Sequence, residues 1–87
     1  MIVLEGECML SKSDLHIELK EKLGLPIYYG KNLDALWDCL TGWIDLPIEV
    51  EWKDFDLVED SLGEYANKAF QLFQEADGIS IKKSLRK

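Results

Sequence analysis

Apolar positions change their spacing several times along the chain, and each change marks an element. Ile2-Val3-Leu4 is an unbroken apolar run, the pattern of a parallel strand covered on both faces, and it is expected to be the central strand. Ser11 followed by Asp14 signals a helix start. Leu15, Leu19 and Leu23 at i, i+4 and i+8 carry that helix until Gly24 and Pro26 end it. Leu33, Leu36, Trp37 and Leu40 fall at i, i+3, i+4 and i+7, which predicts a second helix from Leu33 to Thr41 lying on a core. Asn32 suits its N-cap, Gly30 frees the approach, and Gly42 stands where a helix closes in a left-handed turn.

After a turn at Leu46-Pro47, Ile48-Glu49-Val50-Glu51-Trp52 alternates with period two, predicting a half-buried strand at a sheet edge. Asp54 to Glu59 allows a short helix. Ser61-Leu62-Gly63-Glu64 has the form of a capping box, and Leu62, Tyr65, Ala66, Ala69, Phe70, Phe73 and Ala76 supply the stripe of a longer helix. Asp77-Gly78 stops it and Ile79-Ser80-Ile81 is a short last strand. Lys82, Lys83, Arg86 and Lys87 make a basic end expected to be solvated or frayed, and Asp56 is expected to be a surface acid. Strands separated by helical segments long enough to cross over pair in parallel. The expected fold is α/β, a three-stranded parallel sheet in the order 2-1-3 covered by four helices.

Composition narrows the function. A chain of 87 residues, 47% of them hydrophobic, is expected to form one domain over residues 1–87, too small to combine a core with a deep enclosed active site. No apolar run approaches the roughly 18 residues of a membrane span, and the start MIVLEGE lacks the features of a secretory signal, so a cytoplasmic protein is expected. In a reducing compartment Cys8 and Cys39 are expected to be free thiols. The net charge of −7 argues against binding nucleic acid and for a basic protein partner. His16, the only histidine, has no second ligand at metal spacing on its face and is read as structural. No cofactor or metal is expected.

The second predicted helix carries the candidate chemistry. Its outer face holds Asp34, Asp38 and Thr41. The two aspartates sit four apart with no basic residue in the helix to offset them, a cost of roughly 0.2–0.5 kcal/mol. Asp34 recovers part of this from the helix dipole, whereas Asp38 lies toward the negative end. A face built at a cost to stability points to a task outside folding. Acid–base catalysis by this pair is a poor reading, because an exposed face does not push two carboxylate pKa values apart.

The stretch YYGKNLDALWDCLTGW, residues 28–43, with SDLH at 13–16, Pro47, Glu51-Trp52, Phe55 and FQEA at 73–76, resembles the barstar family of intracellular inhibitors of secreted bacterial ribonucleases such as barnase. The resemblance covers nearly the whole chain. It implies an inhibitor and not an enzyme, monomeric when free, that blocks a basic ribonuclease one to one. Asp38 would occupy the place of the substrate phosphate. Asp34 and Glu75 would pair with further basic groups and Tyr28 would pack on the catalytic histidine. Gly30, Asn32, Leu33, Trp37, Thr41, Gly42, Trp43 and Ile44 would complete the contact surface. It also implies a cis Leu46–Pro47 bond. Lys31 departs from the family's acidic residue at that place and softens the negative field beside Asp34, and the segment after Glu75 is shortened. Trp52 is read as core and Tyr29 as a cap on the sheet. The alternative is an interaction module of the same fold with a different basic partner.

Overall fold

The computed structural model describes residues 1–86. Its elements are β1 (Ile2–Glu5), a single 3₁₀ turn (Gly6–Cys8), α1 (Lys12–Leu23), α2 (Leu33–Gly42), β2 (Ile48–Lys53), α3 (Phe55–Leu62), α4 (Glu64–Glu75) and β3 (Ile79–Lys83). This is the expected α/β arrangement of three parallel strands and four helices. The strand order is β1-β2-β3 and not 2-1-3: Ile2 pairs with Val50 on one side of β2, and Val50 with Ile81 on the other.

The correction has a physical cause. Along β2, Val50 and Trp52 are buried while Glu49 and Lys53 are exposed, and β3 likewise exposes Ser80 and Lys82. Helices cover one face of the sheet and leave the other to solvent, so even the central strand alternates. The apolar run of β1 has Leu4 fully buried but Val3 on the open face, beside Glu51.

On the covered face α1 packs on β1, α4 packs on β3, and α2 and α3 each lie against α4. Trp52 is fully buried as the sequence suggests, edge-on to Phe55 at 5.0 Å and to Phe73 at 6.0 Å between ring centroids. Its indole Nε1 finds no hydrogen-bond partner among the described residues, a cost on the order of 1–3 kcal/mol that the aromatic burial outweighs. Gly6 is fixed by crowding, because a Cβ there would press on the carbonyl oxygens of Lys53 and Asp54.

Both ends of α1 appear where the sequence signals them: Ser11 Oγ accepts from the Asp14 amide at 3.0 Å, and Gly24 ends α1 in the left-handed region at φ 64°. The Ser61 capping box does not form. Ser61 lies inside α3, and Gly63, at φ 59°, separates α3 from α4 without a side-chain cap. The basic end is not frayed through Arg86. Ser84 donates to the Trp52 carbonyl, the Arg86 amide donates to Asp56 Oδ1 at 2.9 Å, and the guanidinium reaches Asp54 at 2.8 Å and Glu7 at 3.0 Å. Asp56 is therefore a buried anchor and not the expected surface acid. Lys87 lies outside the described residues. Both cysteines are free, Cys8 exposed and Cys39 buried, and the Leu46–Pro47 bond is cis. No helix among the described residues is long and apolar enough to cross a membrane.

Candidate functional site

Helix α2 is held at both ends by side-chain hydrogen bonds. Asn32 Oδ1 accepts from the Ala35 amide at 2.8 Å, and its Nδ2 donates to the Gly30 carbonyl at 3.3 Å, so one side chain caps the helix and braces the loop before it. Leu36, Cys39 and Leu40 are buried, with Leu33 and Trp37 packed partly against the core. At the far end Gly42 is still helical, and Trp43 serves as C-cap in a right-handed conformation at φ −113°, so the expected left-handed glycine closure is absent here. Trp43 Nε1 instead donates to the Gly24 carbonyl at 3.0 Å, which fastens the end of α2 to the end of α1.

Asp34 and Asp38 stand exposed on the outer face, and neither side chain has an ion-pair or hydrogen-bond partner among the described residues. The Asp38 charge is felt next door, since burial and then Asp38 raise the Cys39 thiol pKa. Thr41 is also exposed, but its hydroxyl donates to its own helix, to the Trp37 carbonyl at 2.8 Å. Glu75, at the end of α4, is brought to the same side. It lines one groove with Trp37, Thr41, Leu46 and Asp77, and Gln71 Nε2 donates to it at 3.3 Å. Of the candidate residues, Tyr28, Gly30, Asn32, Asp34, Asp38, Thr41, Gly42, Trp43 and Glu75 are exposed, and Leu33, Trp37 and Ile44 are partly buried. Asp77 was missed by sequence reasoning, which read it only as a helix stop. Its separation of two residues from Glu75 was the available signal.

Behind the loop lies a buried polar relay. His16 is fully buried, with Nδ1 2.6 Å from Tyr29 Oη and Nε2 2.7 Å from Tyr65 Oη. Its pKa is lowered from 6.5 to about 4, mainly by burial and secondarily by Lys31. The ring is thus neutral at pH 7, with one nitrogen donating and the other accepting. Burial raises the Tyr29 phenol beyond the ordinary range. Tyr29 is therefore the inward half of a pair whose other half, Tyr28, faces out and meets Trp43 edge-on at 6.2 Å.

The arrangement is an ordered acidic helix with aromatic flanks on a small α/β fold. The chain belongs to the Barstar (barnase inhibitor) family, whose sequence profile matches residues 1–83. It is 48% identical over 75 residues to a Bacillus subtilis (strain 168) protein named "Putative ribonuclease inhibitor YrdF", an alignment spanning 86% of this chain and 82% of that protein.

Proposed function

We propose that this protein is a cytoplasmic, single-domain inhibitor of a barnase-like secreted ribonuclease, and not an enzyme. It blocks the active site one to one with α2 and the loop before it. The observation that carries the reading is the uncompensated, exposed pair Asp34 and Asp38 on a helix already fixed by Asn32 and Trp43. An enzyme that cleaves RNA must line its cleft with cationic groups to hold phosphate. A carboxylate on a rigid helix satisfies those groups as a phosphate does, but offers no bond to cleave. Asp38 takes the phosphate place, Asp34 and Glu75 pair with flanking basic groups, and Tyr28 covers the catalytic histidine. Because the helix and loop are ordered beforehand, little conformational entropy is lost on docking.

The test is a titration of barnase-type ribonucleases with the protein at concentrations well above the dissociation constant. Inhibition that saturates at one equivalent is the expected result. Failure to inhibit any of them would redirect the search to a different basic partner of the same acidic face.

A further inference from the structure

Two residues of the loop before the acidic helix have side chains with no hydrogen bond or ion pair among the described residues. The Tyr29 amide donates to the Pro26 carbonyl at 2.9 Å, so Pro26–Tyr29 closes a turn whose central residues are Ile27 and Tyr28. Its two outer residues are buried and its two central ones are not: Ile27 is 89% exposed and Tyr28 76%. Turn centres are normally polar or conformationally special. An isoleucine displayed at one, on a turn pinned from behind by the His16–Tyr29 contact and by Lys20 Nζ on the Ile27 carbonyl, is an apolar tip held ready. Tyr28, the next residue of the turn, meets the half-exposed Trp43 edge-on at 6.2 Å.

Lys31 is the second residue. It is a non-glycine residue in the left-handed region, at φ 54°. The other such residue, Asp54, is accounted for by its two contacts with Arg86. Lys31 makes no ion pair among the described residues and is exposed. It is also the one basic side chain between Gly24 and Trp43. Strain that no internal contact explains is a mark of a site that acts on something outside the molecule.

We infer that Ile27 and Lys31 select the ribonuclease: Ile27 enters an apolar depression on the rim of the partner's cationic cleft, and Lys31 pairs with a carboxylate on that rim. The inference rests on the proposed function and deepens it. The acidic face meets what ribonucleases of this kind share, namely phosphate-binding cations, and so discriminates little among them. Rim contacts differ from one enzyme to the next, and discrimination comes from the differences.

The experiment begins with the barnase-type ribonuclease that the parent protein inhibits most strongly from a panel. Ile27→Asp, Ile27→Leu and Lys31→Glu are compared with the parent by association and dissociation rates at low and physiological salt. Both sites are exposed, and unchanged thermal midpoints confirm intact folds. Ile27→Asp is expected to weaken binding tenfold or more through faster dissociation at either salt, with Ile27→Leu near the parent. Lys31→Glu is expected to weaken binding although it makes the protein more acidic. An Ile27→Asp protein within twofold of the parent, or a Lys31→Glu protein that binds more tightly, overturns the inference while leaving one-to-one inhibition by the parent intact. So does a parent that dimerises in sedimentation and is made monomeric by Ile27→Asp without a change in affinity. A parent that inhibits no ribonuclease in the panel removes the proposed function itself, and this inference with it.

Discussion

Trp43 Nε1 and the Gly24 carbonyl lie 3.0 Å apart, so the C-cap residue of α2 is tied to the C-cap residue of α1. The loop between the two, which carries Tyr28 and Lys31, is thereby closed at its base. Trp43→Phe keeps the ring and removes this bond. We expect a loss of about 1 kcal/mol in stability, within the range for one hydrogen bond, and faster amide exchange at Leu25 and Tyr29 than elsewhere. Uniform exchange across the molecule would show that the contact does not brace the loop.

Asp38 is expected to separate binding from folding. In the free protein it faces Asp34 and the unfavourable end of the helix dipole, so Asp38→Ala is expected to leave the denaturation midpoint unchanged or raise stability by a few tenths of a kcal/mol. Inhibition is expected to weaken by more than about 2 kcal/mol, the general scale of truncated interfacial charge pairs, which the barnase–barstar complex itself helped to establish. Glu21→Ala, on the exposed side of α1, is the matched control. Destabilisation of the free protein by more than about 1 kcal/mol would mark Asp38 as structural.

His16 sets an acid limit. Its folded pKa of about 4 lies below the ordinary 6.5, so between these values the unfolded chain binds the extra proton and the native state does not. Stability therefore rises with pH through this window. The contribution is complete above about 6.5, falls as pH drops toward 4, and totals on the order of 3 kcal/mol. Urea midpoints across this window should carry that slope, and His16→Gln should flatten it. An equal slope in the variant would assign the acid sensitivity to carboxylates instead.

Asp56 is expected to matter to folding and not to inhibition. It receives the Arg86 amide in a buried setting, and Asp56→Ala leaves that amide without its charged acceptor. A loss of about 1–3 kcal/mol is expected, with unchanged affinity for ribonuclease once folded. A midpoint equal to the parent's would mean that the chain end holds without it.

Local signals carried most of the reading from sequence, and the misses share one origin. The caps at Ser11 and Asn32 and the stop at Gly24 depend on a few neighbouring residues, and each appears as read. The exposed Asp34–Asp38 face followed from helical periodicity alone. Strand order did not, because alternation in Ile48–Trp52 marks a strand with one dry face, and this sheet has one dry face throughout. The Ser61 signal was overridden when α3 ran on to Leu62, against α4. His16 was read as structural, but its partners Tyr29 and Tyr65 come from separate segments that no local pattern connects. The same holds for Arg86, whose ion pair with Glu7 joins the segment after β3 to the 3₁₀ turn after β1.

Every strand pairing in this protein joins distant parts of the chain: Ile2 with Val50, and Ile48 with Ile79. Contacts of such long sequence separation form late, since much of the chain must be ordered before any of them is made. A nascent chain that has emerged as far as Asp77 carries the acidic helix but lacks the third strand. The pairing of Ile48 with Ile79 is therefore the step that completes the sheet under the acidic helix, and it waits on the part of the sequence that is synthesised last.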